Sequence, residues 1–215
     1  MYIVIAGTVG VGKSTTSKAL TKKLKNDKGI NSTWLAPEPV ANSPYLEKYY
    51  EDPIKWTLVA QLDFLVLRHK QLIETHKKLK ESKELKYIIL DRHLTEDYVF
   101  ANMHATKKNM RTFNSLAYHA IYNNILDIEK NDKVDYFFLL KAPFQDVLER
   151  IKKRGIEMEQ DVDVSYWRDL YDMYYSTPWI EQHFKEHSKK LIEIDANKPT
   201  KDIVDEIISI INKKK

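Results

Sequence analysis

The sequence predicts an α/β fold in which a five-stranded parallel sheet is flanked by helices. Five short apolar runs have the length and β-branched content of buried parallel strands. They lie at residues 2–6, 33–36, 87–91, 134–140 and 190–194. Helical segments alternate with them, and a glycine-rich turn joins the first strand to the first helix. This alternation of strand and helix is typical of a parallel sheet covered on both faces.

Each helical segment has apolar spacing or end signals that define it. The predicted helices lie at about 13–28, 53–81, 94–106, 111–131, 144–154, 164–187 and 200–213. Pro53 suits the first turn of its helix. The middle of that helix, residues 58–67, is apolar nearly all round, which predicts burial. Residues 155–163 are acidic and predict a loop.

The composition suits one globular domain over residues 1–215. It is 43% hydrophobic and 31% charged, which is enough apolar material for a core beneath a charged surface. The absence of cysteine excludes disulfides, thiolate catalysis and Cys-ligated zinc. No apolar run approaches the ~18–20 residues of a membrane span, and the chain enters its first strand without a leader. We therefore expect a cytoplasmic protein without a membrane partner.

The net charge is mild. It is +4, from 35 Lys and Arg against 31 Asp and Glu, which does not indicate a nucleic-acid partner. A small positive surplus suits anionic small molecules such as ATP.

The glycine-rich turn carries the clearest chemical signal. It fits G-x-x-x-x-G-K-[ST] at every fixed position, and its residues, with the next one, are Gly7, Thr8, Val9, Gly10, Val11, Gly12, Lys13, Ser14 and Thr15. Backbone N–H groups in such a P-loop wrap a polyphosphate, and the N-terminus of the next helix attracts its charge. Lys13 then reaches the β- and γ-phosphates, and Ser14 ligates Mg²⁺. The motif predicts ATP binding.

The rest of the sequence narrows the class of P-loop protein. A guanine-reading N-K-x-D tetrapeptide is absent, which disfavours a GTPase, and the small size disfavours an ATPase motor. A small-molecule kinase remains.

Two acidic segments follow the second and third predicted strands. Glu38 lies in a Pro-Glu-Pro-Val segment, and Asp91 precedes Arg92. Ligands of open α/β sheets bind at the carboxyl ends of the strands, so a carboxylate and an arginine here could face the γ-phosphate. Taken singly, a solvated loop carboxylate and a surface ion pair remain equally good interpretations.

Two polar residues interrupt the apolar helix at 53–81. Gln61 and Arg68 are seven residues apart, so they share a face about two turns, or ~10 Å, apart. Buried polar groups need partners. Those partners could be a ligand, the backbone or another helix.

Together these segments resemble the deoxyribonucleoside kinase family, which includes deoxycytidine, deoxyguanosine and bacterial deoxyadenosine kinases. The resemblance covers most of the chain in order and spacing. Its pieces are GTVGVGKST (7–15), PEPV (37–40), YYEDPIKW (49–56), Gln61, Arg68, DRHLTED (91–97), ERIKKRG (149–155) and YWRDLYDMYYSTPW (166–179). It implies a P-loop kinase fold with a short lid at about 150–163. It also implies transfer of the ATP γ-phosphate, with Mg²⁺, to a deoxynucleoside 5′-hydroxyl in nucleotide salvage.

The resemblance implies catalytic roles for particular residues. Glu38 would be the general base for the 5′-hydroxyl, the task of a carboxylate within hydrogen-bond reach of it. Arg92 would hold the transferring phosphoryl group and orient Glu38, beside Lys13. Asp91 would join Ser14 in placing Mg²⁺. Arg150 and Arg154 would lie over the ATP phosphates, although lysine and arginine at a helix end also stabilise the helix by ~0.3–1 kcal/mol.

The resemblance also implies a nucleoside pocket. Its residues would be Glu38, Tyr50, Trp56, Gln61, Phe64, Arg68, Arg92, Asp97 and Glu159. Gln61 resembles the residue that pairs with the base edge, and Tyr50 with Glu159 the pair that holds the 3′-hydroxyl. The Arg68–Asp97 pair resembles that of members taking deoxycytidine and purine deoxynucleosides. This favours deoxyadenosine, then deoxyguanosine or deoxycytidine.

Some expectations stay open at this point. A thymidylate-kinase-like nucleoside monophosphate kinase and a non-catalytic nucleotide-binding switch are the alternatives. Ile156 stands where relatives often carry another lid arginine. Apolar residues of the 111–131 helix form either a homodimer face, as in relatives, or ordinary core; they are Phe113, Leu116, Ile121 and Ile125. We expect His93 to have a packing or hydrogen-bonding role, and the other histidines appear without metal-ligand spacing.

Overall fold

The computed structural model describes residues 1–129 and 134–213 and contains the predicted five-stranded parallel sheet. The strands are β1 Tyr2–Ala6, β2 Thr33–Ala36, β3 Tyr87–Asp91, β4 Tyr136–Lys141 and β5 Leu191–Asp195. Their order across the sheet is β2-β3-β1-β4-β5, and every neighbouring pair is parallel. The central strand β1 pairs Val4 with Leu90 on one side and Phe137 on the other. Its Ile3–Ala6 stretch is fully buried, because helices cover both faces of the sheet.

The helices follow the predicted alternation. They are α1 Lys13–Lys28, α2 Leu46–Glu51, α3 Pro53–Glu81, α4 Leu94–Thr106, α5 Thr112–Glu129, α6 Phe144–Arg154, α7 Glu157–Gln160, α8 Val164–Tyr175, α9 Pro178–Glu186 and α10 Thr200–Asn212. Positions 130–131, predicted as the end of the helix at 111–131, lie outside the described residues. Across the described ranges, the helices are too short or too polar to cross a bilayer.

The single predicted helix at 164–187 is wrong. The chain leaves the helix at Ser176 and Thr177, and Pro178 begins α9 in its first turn. Proline cannot donate a backbone hydrogen bond and clashes with the preceding turn, so it starts a new helix instead of continuing the old one. The predicted loop at 155–163 contains the short helix α7, and the irregular stretch after β2 leads into α2, which the sequence analysis missed.

The predicted burial of residues 58–67 of α3 is wrong on one side of the helix. Asp52 caps this helix by accepting a hydrogen bond from the backbone of Lys55 at 3.1 Å. The solvent side of α3 carries Val59, Val66 and Ile73, whose side chains are 40%, 46% and 53% exposed. These three side chains recur every seven residues, so they form one apolar stripe along the helix.

The turn between β1 and α1 is packed tightly against its neighbours. A Cβ at Gly7 would lie 2.7 Å from the Leu140 carbonyl oxygen. A Cβ at Gly10 would lie 2.5 Å from Ile151 Cγ1 and 3.0 Å from the Val147 carbonyl oxygen, both in α6. Glycine at position 10 therefore lets α6 pack directly on the phosphate-loop backbone.

This contact predicts different effects of two alanine substitutions. Gly10 and Gly12 both have positive φ, 82° and 108°, but a Cβ at Gly12 meets nothing within 4 Å. Gly10→Ala should therefore lower the free energy of unfolding by about 1–3 kcal/mol more than Gly12→Ala, because it adds overpacking to the shared backbone strain. Urea unfolding of the two variants measures the difference. Equal losses of unfolding free energy in the two variants would contradict the close packing of α6 on the phosphate loop.

Candidate active site

Two adjoining cavities lie at the carboxyl ends of the central strands. The first has a volume of about 280 Å³ and is lined, among others, by Val9, Lys13, Ser14, Glu38, Tyr50, Phe64, Arg68, Arg92, Asp97, Arg154 and Glu159. The second, of about 330 Å³, is lined by Gly10, Gly12, Lys13, Ser14, Thr15, Arg150, Lys153 and Arg154. The two cavities share Lys13, Ser14 and Arg154. Most of the predicted site residues therefore line two cavities that meet at three shared residues.

Glu38 is held between two arginines. Its Oε1 accepts a hydrogen bond from Arg68 Nη2 at 2.5 Å, and its Oε2 accepts one from Arg92 Nε at 2.5 Å. Burial alone raises the pKa of Glu38, but Arg68, Arg92 and Lys13 outweigh it and lower the pKa to about 2. The carboxylate is therefore ionised throughout the physiological range.

Arg68 joins Glu38 to a second carboxylate. Its Nε donates to Asp97 Oδ2 at 2.9 Å, so the predicted Arg68–Asp97 pair is formed. Arg68 is 1% exposed, and its buried Nη1 has no hydrogen-bond partner among the described residues. This guanidinium therefore keeps one donor group for a further acceptor.

Gln61 and Trp56 lie outside the lining of both cavities. Gln61 is fully buried, and both polar atoms of its amide lack partners within the described part of the chain. Phe64, one turn further along α3, does line the first cavity. Trp56 stacks on Tyr45 with ring centroids 6.1 Å apart, and Lys55 Nζ lies 5.2 Å from its ring. Gln61 thus has free hydrogen-bonding capacity, whereas Trp56 packs against its own neighbours.

Arg92 adopts an unusual backbone conformation. Its φ is 70°, in the left-handed region that side-chain-bearing residues seldom occupy. Nη1 donates to the Tyr174 hydroxyl at 2.7 Å, and the guanidinium lies 4.9 Å from the centre of the Phe100 ring. These contacts, with the Glu38 ion pair, hold a conformation that costs of order 1–3 kcal/mol.

Glu96, which the sequence analysis did not identify, connects Arg92 to the phosphate loop. Its Oε2 accepts hydrogen bonds from the Gly7 backbone at 3.0 Å and from the Tyr174 hydroxyl at 2.8 Å. Its Oε1 accepts one from the His93 backbone at 3.1 Å. The sequence does hold a signal for Glu96, because Glu96 lies three residues after His93, the N-cap of α4. This is the spacing of a capping box.

His93 caps α4, consistent with the expected hydrogen-bonding role. Its Nδ1 accepts a hydrogen bond from the Thr95 backbone at 3.3 Å. Burial, with Arg68 nearby, lowers the pKa of His93 to about 3, so the ring is neutral and can accept.

Helix α8 supplies a second attachment for the phosphate loop. The Tyr175 hydroxyl accepts a hydrogen bond from the Thr8 backbone at 3.1 Å and donates to the Leu140 carbonyl at 2.6 Å. The aromatic run at 166–179 therefore does more than fill the core, because Tyr174 and Tyr175 position Arg92 and the loop.

Ser14 and Asp91 lie together beside Lys13. Burial raises the pKa of Asp91, and the nearby Lys13 amine and Ser14 hydroxyl partly offset that rise. Asp91 Oδ1 is buried and has no partner in the described part of the chain. Two hard oxygen donors, one of them unsatisfied, fit Mg²⁺. Lys13 Nζ donates to the Thr8 carbonyl at 2.8 Å, and burial, followed by Arg92, lowers the Lys13 pKa to about 7.

The predicted lid residues make contacts of their own. Arg150 Nη1 donates to the Val11 carbonyl at 3.2 Å. Arg154 Nε donates to Glu159 Oε2 at 2.9 Å, so two residues predicted to bind different ligands are bound to each other. Tyr50 lines the same cavity as Glu159, and so does Ile156.

Comparison with known proteins identifies the family. Deoxyadenosine/deoxycytidine kinase of Bacillus subtilis (strain 168) is 34% identical, over 98% of this chain and 93% of the relative. Deoxyguanosine kinase of the same organism is 28% identical, over 80% and 76%. The structure of deoxyadenosine kinase from M. mycoides with bound dCTP superimposes with a TM-score of 0.81 at 31% identity, covering 99% of this chain and all of that one. The sequence also matches the deoxynucleoside kinase family profile over residues 3–213. The chain therefore belongs to the deoxynucleoside kinase family.

Proposed function

We propose that this chain transfers the γ-phosphate of ATP to the 5′-hydroxyl of a purine deoxynucleoside, as a step of nucleotide salvage in the cytoplasm. The observation that carries the proposal is the junction of the two cavities at Lys13, Ser14 and Arg154. A triphosphate in the second cavity would present its last phosphate to an alcohol in the first. Family membership favours this reaction over a nucleoside monophosphate kinase and over a non-catalytic switch.

Glu38 is the proposed general base. A carboxylate with a pKa of about 2 is a weak base, so it takes the proton late, as the phosphoryl group leaves ATP in a loose transition state. The two arginines use one position on each oxygen, and a carboxylate offers about four acceptor positions. The 5′-hydroxyl can therefore join Glu38 without displacing either arginine.

Neutralisation of phosphate charge is the other proposed contribution to catalysis. Lys13 and Arg92 flank the junction, and phosphate charge would raise the lowered Lys13 pKa and keep this amine protonated. Ser14 and Asp91 are proposed to hold Mg²⁺, which would neutralise charge on the β- and γ-phosphates. Positioning and neutralisation supply most of the rate in phosphoryl transfer.

Substrate choice is proposed to rest on Arg68 and Asp97. Arg68 retains the unpartnered Nη1, and Asp97 lines the same cavity, so together they offer a donor and an acceptor to a base edge. Gln61 lies on the same face of α3, two turns before Arg68, and its free amide would reach the base after a side-chain rotation. The names of the relatives, which include deoxyadenosine, deoxycytidine and deoxyguanosine kinases, support the order of deoxyadenosine first, then deoxyguanosine or deoxycytidine.

We propose that residues 1–215 form one domain whose segment 150–163 acts as a lid. Gly155, with φ 64°, ends α6 in the left-handed conformation and permits the turn into α7. Arg154 would exchange Glu159 for phosphate oxygens, which frees Glu159 to hold the sugar 3′-hydroxyl together with Tyr50. Arg150 already contacts the loop backbone at Val11.

A homodimer is also part of the proposal. Phe113, Leu116 and Ile121 of α5 are 84%, 62% and 44% exposed, whereas Ile125 packs against the core. Helix α5 contacts α3, which exposes the Val59, Val66 and Ile73 stripe. Apolar faces on two contacting helices suit a second copy of the same chain.

The reaction itself is tested by supplying each deoxynucleoside in turn. Purified protein with ATP and Mg²⁺ should convert deoxyadenosine to its 5′-monophosphate with the highest kcat/KM of the four deoxynucleosides, measured by chromatography of the products. Faster turnover of dTMP than of any nucleoside would favour the monophosphate kinase. Nucleotide binding without turnover of any acceptor would favour the switch.

Removing the carboxylate charge tests the role of Glu38. Glu38→Gln should lower kcat by ~10²–10⁴, the usual contribution of a general base, while leaving nucleotide affinity close to normal. Steady-state kinetics and a fluorescent-ATP titration measure the two effects. Glu193→Gln, at an exposed carboxylate that pairs with Lys141, serves as the control and should have normal kcat. Near-normal kcat in Glu38→Gln would remove Glu38 from this role.

The attachment of the phosphate loop is tested at Glu96. Glu96→Gln puts an amide donor opposite either the His93 N–H or the Gly7 N–H, so it should lower the free energy of unfolding by about 1–3 kcal/mol and raise KM for ATP. Glu206→Gln breaks only a surface ion pair with Lys198 and should cost less than about 1 kcal/mol. Urea unfolding and ATP kinetics provide the readouts. Matching stabilities for the two variants would contradict the linking role of Glu96.

A further inference from the structure

A cluster of metal-ligating side chains lies at the C-terminal end of α9. His183, Glu186 and His187 each offer one ligand atom, and these atoms lie within 4.8 Å of one another. None of the three lines either cavity of the active site. The interpretation that the histidines lack metal-ligand spacing is wrong here, because His183 and His187 are four residues apart. That spacing puts two imidazoles on one side of a helical turn, as in helical zinc sites.

Hydrogen bonds already fix the orientation of both imidazole rings. His183 Nε2 is 2.8 Å from the Tyr122 hydroxyl, and His187 Nδ1 donates to the His183 carbonyl at 2.8 Å. These bonds leave His183 Nδ1 and His187 Nε2 as the ligating nitrogens. Metal-binding histidines typically hold their second nitrogen against an oxygen in this way, which fixes the tautomer. His183 also stacks on Tyr98, with ring centroids 4.3 Å apart, so its ring is held by packing as well.

The local charge also favours a cation. Glu186 is the last residue of α9 and His187 follows it, so the site lies at the negative end of the helix dipole. Lys185, the nearest lysine in sequence, is ion-paired with Glu181.

We propose that His183, Glu186 and His187 form a binding site for Zn²⁺, with water completing a tetrahedral shell. Two imidazole nitrogens and one carboxylate suit zinc, whereas Mg²⁺ prefers oxygen ligands. Ligands at 2.0–2.1 Å from a tetrahedral ion lie about 3.3 Å apart, so the three atoms must close by up to ~1.5 Å. Glu186 is exposed, and rotation of its side chain supplies most of this movement.

Calorimetric titration of the untagged full chain with ZnCl₂ tests the proposal. We expect one Zn²⁺ per chain at this site, and a loss of at least ~10-fold in its affinity in His187→Ala and in Glu186→Gln. Tyr122→Phe removes only the oxygen that holds His183 Nε2, and should weaken binding by about 10-fold, the lower range for such supporting residues. Thermal unfolding should shift upward on zinc addition in the wild type and less in His187→Ala.

The controls separate this site from other histidines and from the active site. His69→Ala, on α3, should bind zinc like the wild type. Zinc held by Ser14 and Asp91 would survive His187→Ala, and kinase activity of His187→Ala with Mg²⁺ should equal that of the wild type. A wild-type titration without zinc binding would overturn the proposal. Identical titrations of the wild type and His187→Ala would overturn it equally.

Discussion

The arrangement of the active site depends on one half-buried carboxylate, that of Glu38, which is shared by two arginines. Glu38 follows β2, Arg68 lies on α3 and Arg92 follows β3, so the ion pairs join three separate elements. A carboxylate taken from water is costly unless it is paired and hydrogen-bonded, and each oxygen of Glu38 meets a guanidinium. The two ion pairs offset the cost of removing the Glu38 carboxylate from water. The same ion pairs keep this carboxylate ionised and fix the orientation of its side chain.

The second half of the arrangement is the connection from Arg92 to the phosphate loop. Arg92 and Glu96 share the Tyr174 hydroxyl, and Glu96 accepts from the Gly7 backbone. The base candidate and the phosphate cradle are therefore positioned relative to each other by a short chain of hydrogen bonds. The links from Arg92 through Tyr174 and Glu96 to Gly7 are buried, so leaving any of these hydrogen bonds unmade would be costly. The left-handed φ of Arg92 is sustained by this network.

The strands and the phosphate loop could be predicted from the sequence, because the patterns that indicate them are local. The strands are continuous apolar runs, and the phosphate loop is a contiguous motif, so both follow from residues adjacent in sequence. The roles of Glu96 and Tyr175 could not be predicted, because their partners Gly7 and Thr8 lie 89 and 167 residues away in sequence. The local sequence around each of them predicts only a helix. The break before Pro178 was overlooked because aromatic periodicity outweighed the proline, whose effect on the backbone prevails.

The most direct measurement of the central claim is a crystal structure of the chain with deoxyadenosine and a non-hydrolysable ATP analogue. The account predicts a Glu38 oxygen within hydrogen-bond distance of the 5′-hydroxyl, with Arg92 still on the other oxygen and Lys13 on the γ-phosphate. A complex in which both ligands are bound but the Glu38 side chain points to solvent, away from Lys13 and Arg92, would contradict it.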